Sequence, residues 1–189
     1  GANAIVGGGV PIATGAAMTC RIDIDKSKSG KVVCCFAGDG AYANGVVLES
    51  LNWACQDQFT NPKMTSIVKG LPIIYCIVNN HFGMTGRADG EVTGIDFLAR
   101  RAAGFDVDNM HAEVVNGMDV LAVRDALVRS KKIALEGKGP VLLELDTYRY
   151  YGHSLSDPRN EYRTKDEEEK WKMVDPLFSF RKRLIEEKI

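Results

Sequence analysis

The sequence is short of extremes. It has no excess of charge of either sign: 24 Lys and Arg stand against 25 Asp and Glu, a formal net charge of −1. That balance gives no reason to expect a nucleic acid or a membrane surface as partner. No apolar run reaches the length of a bilayer-spanning helix, and no signal peptide opens the chain. No Cys-x-x-Cys pair occurs among the five cysteines, Cys20, Cys34, Cys35, Cys55 and Cys76, so a structural zinc site is not expected. Three of the five sit in apolar runs, and all are expected as buried, reduced thiols of a cytosolic protein. The Gly-x-Gly-x-x-Gly order of a dinucleotide fingerprint is also missing: Gly7-Gly8-Gly9 follows no strand. There is no internal repeat and no initiator methionine. Gly1-Ala2-Asn3-Ala4 runs at once into that glycine-rich stretch, as in a fragment or a processed piece.

What is present is ordinary globular composition, 45% hydrophobic and 26% charged over 189 residues, enough for one domain with a sizeable core. Residues 7–11 read as a loop entering a helix, with Pro11 in its first turn. Residues 23–30 read as a polar turn. Residues 31–37 (KVVCCFA) and 71–78 (LPIIYCIV) are short continuous apolar runs, the pattern of strands buried on both faces. Residues 141–145 (VLLEL) form a third strand and 112–115 a shorter one. Between them, residues 46–57, 96–103 and 119–135 carry helical periodicity, the last capped by Asp119 and ended by Gly137. Residues 148–163 form a long polar loop, and such loops are often functional. Residues 166–173 and 176–189 read as charged, solvent-facing helices. Strands alternating with helices predict an α/β fold, three layers (α/β/α) around a mostly parallel sheet.

In open parallel sheets, ligands bind beyond the carboxyl ends of the strands. Gly38-Asp39-Gly40-Ala41 follows the first strand, Asn79-Asn80-His81-Phe82-Gly83 the second, and residues 148–157 the last. Asp39 offers a carboxylate and Asn80 an amide oxygen, hard donors suited to magnesium or calcium. Gly38 and Gly40 let backbone amides approach a phosphate, and a following helix would aim its positive end at the same point. Gly-Asp-Gly or Asn-Asn alone is turn chemistry. The two together on two strand ends predict a metal-bound diphosphate.

Gly38-Asp39-Gly40, then a helix, a strand and Asn79-Asn80, resembles the thiamine-diphosphate motif. Ile5-Val6-Gly7 with Val10-Pro11, Asn116-Gly117-Met118-Asp119, the stretch from Thr147-Tyr148-Arg149 through Gly152-His153-Ser154 to Asp157-Pro158, and Tyr162-Arg163-Thr164 are similar to alpha subunits of pyruvate dehydrogenase and its relatives. The resemblance covers nearly the whole chain and implies the thiamine-diphosphate-binding fold. It implies magnesium held by the Asp39 and Asn80 side chains and the Phe82 carbonyl. Gly38, Gly40 and Ala41 would face the diphosphate and Val6 the aminopyrimidine ring. His153 would approach the diphosphate as a catalytic residue, with Arg149 ordering its loop. His81 and His111 gain no such role and are expected on the surface.

The activity implied is oxidative decarboxylation of a small 2-oxo acid, pyruvate or a relative, with the acyl group passed to a lipoyl-bearing acyltransferase. It implies a beta subunit in an α2β2 heterotetramer. Asp157-Pro158 looks like the pyruvate or acetoin type. Alternatives are an acetoin dehydrogenase alpha subunit, a non-catalytic assembly module that keeps the fold, and a transketolase-like enzyme, which the Tyr148-Arg149-Tyr150-Tyr151-Gly152-His153-Ser154 stretch disfavours. Ser154 and Ser156 match positions phosphorylated in animal relatives, while Glu161 replaces another such serine. That departure points to a bacterial-type, cytoplasmic enzyme, with the mitochondrial matrix as the eukaryotic counterpart. Two more departures stand out. Asp39 and Asn80 lie further apart than in the family pattern, which places an insertion near residues 58–70. Gly8-Gly9 also replaces a bulkier pair before Val10-Pro11.

Overall fold

A computed structural model of the chain describes residues 5–27, 30–56, 58, 70–158 and 160–188. Most of the expected insertion at 58–70 therefore lies outside the described residues. Four strands, β1 (Val33–Gly38), β2 (Ile73–Asn79), β3 (His111–Asn116) and β4 (Val141–Asp146), form one sheet. Its order is β1-β2-β4-β3 and every pairing is parallel. The helices are α1 (Gly9–Ser27), α2 (Gly45–Ala54), α3 (Ala102–Phe105), α4 (Val120–Leu135), α5 (Lys165–Met173) and α6 (Pro176–Glu186). The α/β expectation holds, with helices on both faces of the sheet. Among the described residues no helix is long and apolar enough to cross a membrane.

Side-chain alternation along the strands separates two cores. Cys35, Ile73, Tyr75, Ile77 and Leu142 pack with Val10 and Ala17 of α1 and Val47 and Leu51 of α2. On the other face, Ile74, Cys76, Val141, Leu143 and Leu145 pack against Ala126 of α4. The Asp119 carboxylate caps α4, accepting from Leu121 N and Ala122 N at 2.9 and 3.1 Å. Replacing such a cap typically costs about 1 kcal/mol. Beyond α4, Gly137 sits at φ +67° in the left-handed region glycine enters without steric cost.

Several expectations need correction. The run at 31–37 is not a strand buried on both faces: β1 lies at an edge of the sheet. Phe36 is 60% exposed, and Cys34 is exposed rather than buried. Cys20 is only half-buried, so burial holds for Cys35, Cys55 and Cys76. The polar turn expected at 23–30 is instead helix through Ser27, since neither Gly nor Pro interrupts the chain before Gly30. The helix expected over 46–57 stops at Ala54, with Cys55 as its cap. Residues 96–103 resolve into a 3-10 turn, Leu98–Arg101, followed by the short α3. Of the two C-terminal helices, α5 is not wholly solvent-facing. Its Glu168 is buried against Arg163 at 3.0 Å, and its Trp171 stacks on Tyr148 with centroids 5.0 Å apart.

Candidate functional site

Parallel pairing of β1 with β2 puts Gly38 opposite Val78, so the turns carrying Asp39 and Asn80 leave the same edge of the sheet side by side. Asp39 opens a 3-10 turn, Asp39–Ala43, rather than a long helix. Asn44 caps α2 only after that turn, accepting from Val46 N at 3.1 Å. The helix begins at Gly45, close to the expected 46, and the 3-10 turn stands between it and Asp39. Asp39 itself is 2% exposed. Its Oδ1 accepts from Gly40 N at 2.7 Å, while Oδ2 has no hydrogen-bond partner. Burial pushes the Asp39 carboxyl above the usual carboxylate range; the Gly40 amide, His81 and Arg149 offset this only in part. A buried carboxylate with a spare oxygen favours a cation beside it. A side chain at Gly38 would meet nothing within 4 Å, and one at Gly40 only the Gly83 Cα at 3.9 Å. The flanking glycines thus leave open space next to the carboxylate. Ala41, in the same turn, is buried.

The second turn is framed more tightly. Asn79, the last residue of β2, donates through Nδ2 to Glu144 Oε1 at 2.6 Å and to the Asp96 carbonyl at 3.4 Å. Its Oδ1 accepts from His81 N at 3.1 Å. Asn80 Oδ1 accepts from Phe82 N at 3.1 Å and, being an amide oxygen, keeps a second lone pair. The Phe82 carbonyl receives only a long contact, 3.5 Å, from Arg149, whose firmer bond goes to the Gly83 carbonyl at 2.9 Å. The oxygens of Asp39, Asn80 and Phe82 are hard donors, and their type could hold a magnesium-like ion.

His81 overturns one expectation. Its side chain is 24% exposed, and Nε2 lies 2.6 Å from Asp146 Oδ1. The Asp146 carboxylate beside it raises its pKa, against a smaller lowering by burial. His111, by contrast, is exposed as expected.

Among the described residues of 148–163 none lies in a helix or strand, and the loop is well tied. The Asp157 carboxylate accepts from His153 N at 2.6 Å and Tyr162 OH at 2.5 Å, and lies 3.7 Å from Arg149. Arg163, buried against Phe82, Tyr148 and Tyr162, donates to the backbone carbonyls of Arg149 and Tyr150. Arg149 thus joins the loop to the turn after β2. His153 is exposed, and its backbone amide anchors it to Asp157. Val6, 75% exposed, sits in the turn before α1. Val6, Gly7 and Gly38 line one cleft of about 770 Å³ between α1 and β1, within the size range of small-molecule sites.

Sequence reasoning passed over Glu144, which holds Asn79, and Asp146, which holds His81. The signal for the first was present: a lone carboxylate in the middle of the apolar VLLEL run. Asp146 carried no signal, because its importance depends on the order of strands in the sheet.

The chain belongs to the dehydrogenase E1 component family, which matches residues 1–189. Among curated proteins it is 35% identical to the testis-specific mitochondrial pyruvate dehydrogenase E1 component subunit alpha of Rattus norvegicus, over 98% of this chain and 42% of that one. It is 35% identical to the pyruvate dehydrogenase E1 component subunit alpha of Porphyra purpurea, over 100% of this chain and 51% of the relative. The mitochondrial type II alpha subunit of Ascaris suum is 38% identical, over 98% and 42%. The chain spans about half the length of these relatives.

Proposed function

We propose that the chain is the cofactor-holding part of the alpha subunit of a pyruvate dehydrogenase, working on pyruvate with thiamine diphosphate and magnesium. One observation carries the reading: the buried Asp39 carboxylate keeps an oxygen without a partner, at the end of the strand next to the one that ends at Asn79-Asn80. The Asp39 and Asn80 side chains and the Phe82 carbonyl would hold the magnesium ion. The Gly38, Gly40 and Ala41 backbone would face the diphosphate, with Val6 near the aminopyrimidine ring and His153 reaching the diphosphate from the loop. When bound, thiamine diphosphate supplies the carbanion and electron sink for decarboxylation. The protein supplies the rest. Asp39 neutralises the cation, the glycines admit the phosphate oxygens, and Arg149 with Asp157 holds the loop in place.

The names of the relatives favour pyruvate over acetoin as substrate. We further propose an α2β2 heterotetramer with a beta subunit that completes the site, and delivery of the acyl group to a lipoyl-bearing acyltransferase. The compartment follows the host: cytoplasm in a bacterium, mitochondrial matrix in a eukaryote; the names of the Rattus norvegicus and Ascaris suum relatives call them mitochondrial. A fold-only assembly module is disfavoured by the intact Asp39, Asn80 and His153.

The test is calorimetric titration of magnesium and thiamine diphosphate into the full-length alpha chain assembled with its beta subunit. Asp39→Ala should abolish joint binding, and an unchanged affinity in that variant rules out the assigned role. Assays of the same complex with pyruvate, acetoin and branched-chain 2-oxo acids settle the substrate.

A further inference from the structure

The residue between Asn80 and Phe82 is held in a conformation its type rarely adopts. His81 lies at φ +67°, in the left-handed region where non-glycine residues are uncommon. Such a conformation persists only where the surroundings over-determine it. Here the backbone is fixed from both directions: His81 N donates to Asn79 Oδ1 at 3.1 Å, and its carbonyl accepts from Ala88 N at 2.8 Å. The side chain adds a third tie. In the register of β2 and β4, Asn79 is the partner of Asp146, so His81, two residues on, lies within reach of the Asp146 carboxylate. Nε2 and Oδ1 are 2.6 Å apart, and the Trp171 ring of α5 covers the imidazole with centroids 6.1 Å apart.

We propose that His81 and Asp146 form a positioning pair, in which the imidazole pins the turn after β2 to the end of β4 and so sets the relative directions of the Asn80 amide and the Phe82 carbonyl. The proposal rests on the reading of those two groups as magnesium donors. Its logic is geometric. Asn80 and Phe82 flank His81, so rotation about the His81 backbone swings one donor against the other. The backbone bonds tie His81 to the end of β2 and to Ala88, whereas the side-chain tether ties it across to the end of β4. The pair touches neither ion nor substrate directly. It resembles in kind the outer-shell partners of other metal sites, whose loss typically weakens metal affinity by roughly 10- to 100-fold.

The test uses the full-length alpha chain assembled with its beta subunit. Magnesium with thiamine diphosphate is titrated by calorimetry, manganese occupancy is read by paramagnetic resonance, and thermal midpoints are recorded alongside. His81→Gly keeps the left-handed backbone free of strain and removes the tether together with the Trp171 contact. Asp146→Ala removes it from the other side and serves if the first variant does not fold. Each should weaken manganese and cofactor binding by about 10- to 100-fold. The double variant should be no weaker than either single one, because both remove the same tie. Wild-type affinity in His81→Gly with a lowered midpoint overturns the proposal and leaves the pair a structural contact. Fully additive losses in the double variant overturn the coupling. A wild-type complex that binds neither manganese nor cofactor overturns the site assignment itself, which separates that failure from a failure of the pair.

Discussion

Glu144 offers the sharpest test of how the site is built. It has no solvent exposure, and both carboxylate oxygens are engaged: Oε1 with Asn79 Nδ2 at 2.6 Å, Oε2 with Ala99 N at 2.7 Å. Glutamine has nearly the same shape but replaces one acceptor by a donor. Whichever way the amide turns, an N–H then faces another N–H. One hydrogen bond to a charged group, worth about 1.5–3 kcal/mol, is lost, and a buried donor is left unmet. Relief from burying a charge works in the other direction. That relief is limited, because the Glu144 charge also supports the half-buried Arg101, whose pKa burial lowers and Glu144 raises. The net loss for Glu144→Gln should be about 2–3 kcal/mol. A chain of this size loses roughly 2–4 °C of thermal midpoint per kcal/mol, so the midpoint should fall by about 4–12 °C. The assay is thermal unfolding of the 189-residue chain by circular dichroism. Glu113→Gln serves as control, since Glu113 pairs with the exposed Arg129 at 3.1 Å and such a pair contributes about 0–1 kcal/mol. A midpoint for Glu144→Gln within about 1 °C of wild type, or no lower than that of the control, refutes the hub role and the hydrogen-bond arithmetic together.

Two other perturbations probe different parts of the chain. Asp157→Ala removes the acceptor for His153 N and Tyr162 OH, and limited trypsin digestion should then cut within residues 148–163 about 10- to 100-fold faster, as expected for loss of about 1.5–3 kcal/mol of local stability; an unchanged rate would show that Arg149 and Arg163 hold the loop without Asp157. Burial pushes the Cys55 and Cys76 thiols up to about 12, so unfolded thiols ionise at lower pH than folded ones, and the folded state binds more protons in between. Stability should therefore be full below about pH 8.5 and decline as pH rises toward 12. Cys55→Ala and Cys76→Ala should each flatten that decline in denaturant titrations, and an equal slope in all three proteins would sink the assignment.

Much of the frame was legible because its signals are local. Residues 71–78 and 141–145 are apolar runs closed by polar residues, and a parallel sheet must bury them. Asp119 before a periodic segment and Gly137 after it mark α4 at both ends. The motif turns after β1 and β2 were placed at one edge because parallel strands share a direction. Strand order, however, is not local. Residues 31–37 look as apolar as 71–78, yet β1 lies at the edge and shows Phe36 to solvent. The same non-local pairing decides that Asp146 sits beside Asn79, and hence that His81 is tethered rather than free at the surface.

The two asparagines of the motif divide their work by hydrogen-bond capacity. Asn79 has spent its amide: Nδ2 on Glu144 and the Asp96 carbonyl, Oδ1 on the His81 amide. Glu144 has spent both oxygens in turn, so it frames the turn and has little left for an ion. Asn80 has spent one lone pair of Oδ1 on Phe82 N and retains the other. Asp39 has spent Oδ1 on Gly40 N and retains Oδ2. What separates them is commitment to the frame: Asn79 is tied through both ends of its amide, whereas Asp39 keeps Oδ2 without a partner and Asn80 bonds only the next turn, and these two are the residues that follow β1 and β2. Asn79→Asp and Asn80→Asp should consequently fail in different ways. The first puts a second carboxylate against Glu144 and should destabilise the fold, because like charges at hydrogen-bond distance in a buried site repel strongly. The second keeps an oxygen donor and should fold, its effect confined to cation affinity. Circular-dichroism melts and manganese titration of the two variants separate these outcomes, and equal stability losses in both would show that the division between frame and donor is wrong.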